Sequence, residues 1–395
     1  MSRHAVIAGG GIGGLAAAVA LSRTGWSVQV LEQASELREV GAGISLWPNA
    51  VRALEAIGLG RAVRDLATLQ GHFGVRDPRG RWLMRAHSAT FAERHDMSAI
   101  MLHRAQLQAM LARALPAGMV LTGARVRAVE QSHAGVTAVL ENGAGVRGDL
   151  LIGADGVRSR VRSAAFGTAT RPRYAGYTSW RGLANYDLDA AAAASETWGA
   201  GDRFAAMRMA DGRTYWYATA PEPEGGRAVD QNAERDLLRR RFGHWHRPIP
   251  GILEATTQLI RTDTYELHPP LSGYVQGRVA LLGDAAHAME PALGQGACQA
   301  LEDAVALGAA LATAPTLDQG LSAYNDVRLP RTQHITRMSR RFGRPGRLRR
   351  QPAVGLRNAL MRLLPPAVTV RALDPIARWE PPSLPYRDSP PERNT

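Results

Sequence analysis

The chain has 395 residues, which is long enough for two or three packed domains. With 45% hydrophobic and 21% charged residues, it belongs neither to the disordered nor to the collagen-like class. Its single cysteine, Cys298, excludes an internal disulfide framework and a thiolate-rich metal site, and it favours a reducing, cytoplasmic location. We therefore expect no bound metal.

The net charge is +13, from 48 basic residues, all of them arginine, against 35 acidic ones. Twelve arginines and no acidic residue fall between Val327 and Leu373. Such a basic segment can bind nucleic acid or anionic lipid. A recognition motif and interleaved aromatic residues are missing from it, so we interpret it as a solvated, partly buried helical face and expect no nucleic-acid partner.

The first elements form a strand–helix–strand unit. Residues 4–8 and 27–32 read as buried strands, and residues 13–24 between them read as an alanine-rich helix, which predicts a parallel sheet covered by helices. The apolar run 5–21 also has the length of a signal-peptide core, but a turn between strand and helix explains its five glycines. No other stretch approaches the roughly 18 apolar residues of a spanning helix, so we expect no integral membrane span.

The remaining elements alternate between helical and strand patterns. Helices are predicted at 48–57, 103–115, 233–242, 250–259, 297–312 and 317–342. Strands are predicted within 123–152 and at 173–183, 203–209, 213–220 and 278–283. The sequence therefore predicts an α/β fold in which a Rossmann-like domain with a parallel sheet is joined to an antiparallel-sheet domain and C-terminal helices.

The order of these patterns also predicts how the chain is divided. Residues 1–72, 100–170 and 271–330 would form a discontinuous dinucleotide-binding domain. Residues 73–99 and 171–270 would form a substrate domain, and 331–395 a C-terminal helical segment with an Arg- and Pro-rich tail.

A glycine motif follows the first strand. Gly9, Gly11 and Gly14 match G-x-G-x-x-G, in which the glycines permit a tight turn, close approach of a pyrophosphate and close helix packing. The helix that begins there presents free N–H groups and the positive end of its dipole to phosphates. Glu32 closes the second strand, where a carboxylate can bind both ribose hydroxyls of an adenosine. The alternative is a glycine-rich turn without a ligand.

Two later strands end in aspartate, one before Asp155-Gly156 and the other before Asp284. Ligands of parallel sheets bind at the carboxyl ends of strands, so Asp284 can accept hydrogen bonds from a polyol. Amides of residues 294–298, at a further predicted helix start, can stabilise an anionic ring. An adenosine end, a pyrophosphate, a polyol and a ring that becomes anionic on reduction describe FAD, whereas NAD lacks the polyol.

Two side chains near this loop admit more than one role. His287 lies three residues after Asp284, and we assign it a structural hydrogen bond rather than proton transfer. Cys298 stands at a helix start, where its pKa could be lowered, but we expect a packed small residue.

The glycine turn 9–14, Asp155-Gly156 and Gly283-Asp284 follow one another in the chain as they do in a known family. Over about residues 4–345 the chain resembles the single-component FAD-dependent aromatic hydroxylases of the para-hydroxybenzoate hydroxylase type. The run from Gly294 to Asp303 and the run 173–177 are similar to the branch that holds urate, salicylate and 3-hydroxybenzoate hydroxylases and zeaxanthin epoxidase. The resemblance implies reduction of FAD by NADH or NADPH, a flavin C4a-hydroperoxide formed with O2, and hydroxylation of an aromatic or related ring. The alternatives are a flavin epoxidase of a polyene or biosynthetic intermediate, or a non-catalytic flavin-binding protein.

The resemblance also implies which residues contact the cofactor. Asp155 would support both flavin and nicotinamide binding, and Arg104 would contact the pyrophosphate. The expected FAD contacts, besides the glycine turn, are Gly13, Glu32, Gln33, Ser45, Arg104, Val126, Asp284, Gly294, Gln295, Gly296, Ala297 and Cys298.

Arg203 and Tyr215 occupy positions similar to the substrate arginine and tyrosine of urate hydroxylase, and we take them as the catalytic candidates. A buried arginine that faces the flavin would favour an anionic small-molecule ring substrate. The alternative for Arg203 is a surface ion pair with Asp202 or Asp211. The segments 178–181 and 207–209 differ from the urate hydroxylase pattern, so we expect a different ring substrate, taken up by a monomer or homodimer.

Overall fold

The computed structural model describes residues 3–37, 43–64, 66, 71–189, 194–209 and 211–385. The strands β1 to β18 are, in chain order, His4–Ala8, Ser27–Leu31, Gly43–Leu46, His72–Arg76, Trp82–His87, Ile100–His103, Val120–Leu121, Val126–Ser132, Gly135–Leu140, Gly145–Gly148, Leu150–Gly153, Arg171–Ala184, Ala194–Trp198, Arg203–Arg208, Thr214–Ala220, Thr256–His268, Val275–Gln276 and Val279–Leu281. The helices α1 to α14 are Ile12–Arg23, Pro48–Ala56, Gly60–Arg64, Ser88–His95, Arg104–Arg113, Arg160–Phe166, Gln231–Phe242, Ile249–Glu254, Asp284–His287, Gly296–Thr313, Leu317–Gly346, Gln351–Leu363, Pro366–Arg371 and Asp374–Ala377.

The first sheet has the strand order β17-β18-β11-β1-β2-β7, and its four central strands are parallel. Strands β1, β11 and β18 are buried on both faces, as their continuous apolar sequences require, whereas β2 exposes Ser27. Helix α10 packs close to α1, because a Cβ on Gly13 would lie 3.2 Å from the Cβ of Ala300. The parallel order brings the ends of β1, β2, β11 and β18 to one edge, where a ligand of such a sheet binds.

The second sheet is mainly antiparallel, with the order β16-β12-β15-β14-β13-β4-β5. One of its faces packs against α7 and α8 through a core that contains Trp180, Phe204, Trp216 and Phe242. Side chains alternate along a strand, so the residues next to these in sequence lie on the opposite face. That face forms a wall of the candidate site. The α/β fold with a parallel sheet, an antiparallel sheet and C-terminal helices is therefore confirmed.

Several predicted elements were wrong or missing in detail. The helix expected at 250–259 ends at Glu254, and Thr256–His268 is a strand, because Thr256, Gln258 and Leu259 pair with β12. Strands β4 and β5 and helix α4 were not predicted. Strand β4 pairs with β5 nearby and with β13 far along the chain. The domain boundaries given above stay predictions, and residues 386–395 of the expected tail lie outside the described residues.

Candidate cofactor and substrate cavity

The three motif glycines of the turn after β1 have different surroundings. Gly9 adopts φ 111°, and a side chain there would overlap the carbonyl of Ala154. A Cβ on Gly14 would overlap the Gly9 carbonyl oxygen, so this glycine lets α1 start against the turn. Gly11, in contrast, has nothing within 4 Å of its Cβ position. The turn is thus tight on its inner side and open at Gly11, as the motif predicts for a phosphate-binding loop.

Glu32 is fixed at the end of β2. Its Oε2 accepts a hydrogen bond from Gly10 N at 2.6 Å, and its Oε1 accepts one from Ala34 N at 2.8 Å. A carboxylate has about four lone-pair sites, so two remain for hydroxyl groups of a ligand. Gln33 beside it is exposed, and Val126 is buried at the start of β8.

Asp155 caps helix α6 with its carboxylate. Ser159 Oγ donates to Oδ1 at 2.5 Å, and the amides of Arg160 and Val161 donate to Oδ2 at 2.7 and 3.1 Å. The next residue, Gly156, has φ 80° and lines the cavity. Asp155 therefore fixes the loop that carries Gly156, and its own oxygen atoms are engaged within the chain.

The loop after β18 brings Asp284 close to the start of α10. Asp284 is exposed and lines the cavity, and a Cβ on Gly296 would lie 3.9 Å from its Oδ1. A Cβ on Gly294, which has φ 63°, would lie 2.8 Å from Ser45 Oγ. The first turn of α10 presents N–H groups without intrahelical partners at this position, next to Ala297 in the cavity wall.

The side chains of Gln295 and Cys298 point away from the cavity. Gln295 is fully buried, and its Oε1 accepts from Asn49 Nδ2 at 3.0 Å. Cys298 Sγ donates to the carbonyls of Ser45 and Gly294, and burial raises the pKa of its thiol to about 12. Cys298 is therefore the packed small residue that we expected, and these two residues can reach a ligand only through their backbone.

A buried ion cluster supports the Asp284 loop from behind. Asp303 Oδ2 accepts from Gly283 N at 2.9 Å and from His287 Nε2 at 2.6 Å, which confirms the structural hydrogen bond of His287. Arg328 of α11 donates to Asp303 Oδ1 at 2.7 Å and to Glu302 Oε2 at 2.5 Å. The side chains of Arg328, Glu302 and Asp303 are all 0% exposed. The position of the loop thus depends on charges that have no access to water.

A cavity of about 900 Å³ joins these segments. It is lined by the turn from Gly11 to Gly13, by Ser45 and Arg104, and by the loop around Asp284. Desolvation by the cavity walls lowers the pKa of Arg104, while the nearby carboxylates of Asp284 and Glu32 raise it. The amino-terminal turn and the loop after β18 therefore face the same space, with Arg104 between two carboxylates.

The opposite wall of the cavity is the open face of the antiparallel sheet. Alternate residues of three neighbouring strands line it: Tyr177, Ser179 and Arg181 on β12, Arg203, Ala205 and Met207 on β14, and Tyr215, Tyr217 and Thr219 on β15. Tyr215 is buried against Gly43, where a Cβ would overlap its ring. Both catalytic candidates, Arg203 and Tyr215, thus border the cavity.

Arg203 is paired with Glu196 in the cavity wall. Its Nε donates to Glu196 Oε1 at 3.0 Å, Nη2 donates to the same oxygen, and the guanidinium lies 5.2 Å from the centre of the Trp198 ring. Burial lowers the pKa of Arg203, but Glu196 raises it above its usual value, so the guanidinium stays charged. The expected alternative of a surface pair with Asp202 or Asp211 is wrong, because Asp202 pairs with Arg241 and Asp211 with Arg213.

The end of α11 covers Arg203 from the other side. A Cβ on Gly346 would lie 2.8 Å from Arg203 Cδ, and the helix tip therefore packs directly on this side chain. Arg347, next in the chain, donates to Glu290 at 2.6 Å, and its guanidinium lies 5.5 Å from the centre of the Tyr177 ring. Phe342 of α11 and Thr369 of α13 line the cavity, so the C-terminal helices form part of its wall.

Sequence reasoning missed three side chains of this wall: Glu196, Tyr217 and Arg181. Tyr217 OH donates to Glu196 Oε1 at 2.7 Å, and burial followed by the Glu196 charge raises the pKa of the phenol far above its usual value. The signal for Tyr217 was its alternation with Tyr215 on one face of the strand. Glu196 had none, because residues 194–198 were not predicted as a strand. Arg181 lies in a segment noted only for its departure from urate hydroxylase.

Among the residues that the structure describes, no group of three or more His, Cys, Asp or Glu side chains is arranged to hold a metal ion. In the same residues, no helix is both long enough and apolar enough to cross a membrane.

Comparison with known proteins gives a consistent result. A family model described as an FAD binding domain matches residues 3–339. An aurachin C monooxygenase/isomerase from Stigmatella aurantiaca is 39% identical over 363 residues, 91% of this chain and 94% of that protein. An FAD-dependent urate hydroxylase from Klebsiella pneumoniae is 36% identical over 344 residues, which cover 85% of this chain and 88% of that protein. The crystal structure of Klebsiella pneumoniae HpxO with FAD and uric acid superposes with a TM-score of 0.88 at 31% identity, covering 95% of this chain and 97% of that one.

Proposed function

The chain belongs to the FAD-binding family of flavin-dependent aromatic monooxygenases, and from this premise we propose that it hydroxylates an anionic ring substrate with O2 and NAD(P)H. The observation that carries the proposal is the single cavity between the dinucleotide-binding edge of the parallel sheet and the polar face of the antiparallel sheet. The aurachin C monooxygenase/isomerase and the urate hydroxylase match over most of their own length, whereas a zeaxanthin epoxidase from Solanum lycopersicum, 37% identical, matches over 47% of its length. This difference supports hydroxylation over the epoxidase and non-catalytic alternatives. We also propose a cytoplasmic monomer or homodimer, in keeping with the free, buried Cys298.

The residues where the cavity meets the carboxyl ends of the parallel strands fit FAD. The open position at Gly11 allows a pyrophosphate to approach the backbone, and Glu32 has lone pairs left for the ribose hydroxyls. We propose that Arg104 binds the pyrophosphate, that Asp284 accepts hydrogen bonds from the ribityl chain, and that the amides of 294–298 stabilise negative charge on the ring. The chemistry that FAD supplies when bound is hydride acceptance from NAD(P)H and activation of O2.

The residues of the antiparallel sheet would then bind and orient the substrate. The Tyr217 hydroxyl donates a hydrogen bond to Glu196, so the lone pairs of its oxygen are available to accept a hydrogen bond from a ring hydroxyl of the substrate. Tyr215, whose pKa burial raises, stays a neutral phenol that can donate. Arg203 holds Glu196 in place, and the surrounding apolar side chains exclude water from the reacting ring.

Arg181 supports the anionic character of the substrate. The charge of Arg203 is offset by Glu196, whereas the half-buried Arg181 guanidinium has no ion-pair or hydrogen-bond partner among the described residues. It lies in register with Tyr217 on the adjacent strand and acts electrostatically on Tyr215. A cation in a low-dielectric wall without a counterion is costly, so an anionic group of the ligand would complete this site.

The test of the function is a screen of phenolates, aromatic carboxylates and purines for substrate-stimulated NAD(P)H oxidation. The purified protein reconstituted with FAD should oxidise NAD(P)H faster with the right compound, and mass spectrometry should detect a product with one added oxygen atom. A protein that binds FAD but shows neither stimulation nor product with any anionic ring compound would contradict the proposal.

The Arg181→Gln variant should raise KM for the anionic substrate by about tenfold to a hundredfold, because a hydrogen bond to a charged group is worth about 1.5–3 kcal/mol. Its FAD content should stay unchanged. The matched control is Arg208→Gln on β14, whose side chain is 42% exposed and pairs with Asp187. Equal KM values for the two variants, or a loss of FAD from Arg181→Gln alone, would assign Arg181 to a role other than substrate binding.

A further inference from the structure

Helix α12 (Gln351–Leu363) has two faces of different character. Val354 and Arg357 are buried, and Met361 is partly buried, at the three- and four-residue spacing of one helix face. On the other face, Leu356, Leu360 and Leu363 are 63%, 56% and 78% exposed. An amphipathic helix normally turns its leucines inward, and this one presents them to the outside.

The inner face of α12 is anchored firmly enough to keep the leucines outside. Arg357 donates to the carbonyls of Gly199 and Pro345 at 3.2 and 3.1 Å, and its guanidinium lies 5.6 Å from the centre of the Trp198 ring. Met361 packs on the apolar cluster that contains Trp198. Rotating the helix to bury its leucines would break these contacts.

The apolar surface continues beyond the helix. Leu364 and Val368 are 46% and 47% exposed, so five of the nine large apolar side chains that are exposed among the described residues fall within 356–368. Scattered exposed apolar residues are ordinary on a protein surface, but a contiguous patch marks an interaction site.

The charge around this patch favours one kind of partner. Arg349, Arg350 and Arg371 are exposed at the two ends of the leucine stripe, and the sequence from Val327 to Leu373 contains no acidic residue to neutralise them. Arg362, within the stripe, is paired with Asp77. A second copy of the chain on the same face would bring two sets of arginines together. An anionic lipid surface accepts both the leucines and the arginines.

We propose that the face formed by Leu356, Leu360, Leu363, Leu364 and Val368 docks the protein on anionic membranes. Helix α12 would lie in the interface plane with its leucines among the acyl chains and the flanking arginines at the headgroups. Trp198, beneath α12, also lines the catalytic cavity, so the docked helix separates that cavity from the bilayer by about its own thickness of 10–12 Å.

The test is vesicle flotation of the full-length protein with phosphatidylcholine alone or mixed with phosphatidylglycerol. The protein should float with the mixed vesicles at low salt, much less with phosphatidylcholine alone, and less at high salt, because salt screens the arginines. The double variant Leu360→Glu/Leu363→Glu should lose at least about tenfold in partitioning, since it removes apolar contact and adds negative charge. The variant Arg350→Gln/Arg371→Gln should lose about tenfold to thirtyfold on mixed vesicles at low salt.

The control is Val229→Glu, which adds one negative charge at a side chain that is 99% exposed outside this face. It should float like the unmodified protein, and all variants should keep the same thermal unfolding midpoint. Unmodified protein that stays unbound on mixed vesicles would overturn the proposal. So would a dimer in light scattering that Leu360→Glu/Leu363→Glu dissociates, because a second copy would then cover this face.

Discussion

Replacement of Arg328 with methionine is expected to lower the free energy of unfolding by about 3–5 kcal/mol, the usual effect of removing one partner of a buried ion pair. Arg328 donates to both Glu302 and Asp303, and all three side chains are fully buried. Methionine fills a similar space but leaves the two buried carboxylates without this counterion. Chemical denaturation monitored by circular dichroism measures the loss.

The control for this variant is Arg337→Met, an exposed arginine on the same helix α11, which should change the free energy of unfolding by less than about 0.5 kcal/mol. Equal stabilities of the two variants would contradict the argument.

The acid dependence of stability follows from the same cluster. Burial raises the pKa of Asp303, but His287 and Arg328 lower it to about 2, below the ordinary value. The resulting stability is present above the ordinary pKa of about 3.9 and is lost as the pH falls toward about 2. Without Arg328 the folded-state pKa of Asp303 lies closer to the ordinary value. Denaturation at a series of pH values should therefore show that Arg328→Met loses less stability than the unmodified protein as the pH falls from about 4 to about 2.

Replacement of Gly14 with alanine is expected to abolish stable flavin binding, with an increase of at least about a hundredfold in the Kd for FAD, or roughly 3 kcal/mol. The added Cβ would overlap the Gly9 carbonyl oxygen, so either the turn or the start of α1 must move away from the phosphate-binding geometry. The measurement is flavin absorbance of the purified protein, together with fluorescence titration of the apoprotein.

Gly355→Ala is the matched control, because this helical glycine has nothing within 4 Å of its Cβ position. It should retain full flavin content and unfold at the same or a slightly higher temperature, since alanine favours a helix. If Gly14→Ala purified with as much flavin as Gly355→Ala, the turn after β1 would not be the pyrophosphate site.

Local pattern predicted the dinucleotide edge of the protein well. Gly9 to Gly14, Glu32 and Asp284 each stand at the end of a strand, and the parallel order of those strands alone brings such ends together. The partner of Arg203 could not be found in this way. Glu196 reaches it across the pairing of β13 with β14, and the sequence pattern of residues 194–198 did not predict a strand.

Pairing with a distant strand also explains why a helix was wrongly predicted around Thr256. Residues 250–259 have helical spacing at their start, yet pairing with Gly182 and its neighbours on β12 turns the second half into an edge strand. Contacts with distant partners therefore decide the outcome where the local preference is weak. The contact of Gly346 with Arg203 could not be predicted either, because a glycine near the end of a helix does not indicate which distant side chain packs on it.

The contact of Gly346 with Arg203 has a consequence for how the molecule matures during synthesis. A chain leaving the ribosome folds its earlier parts first, so the strands that carry Arg203 and Tyr215 are made well before the tip of α11 emerges. The part of the cavity at the glycine turn can therefore form while the part at Arg203 still lacks the wall that the tip of α11 provides. Flavin uptake would consequently show that α11 has docked as far as Arg328, which supports the Asp284 loop, whereas turnover would also require its tip at Gly346 to cover Arg203.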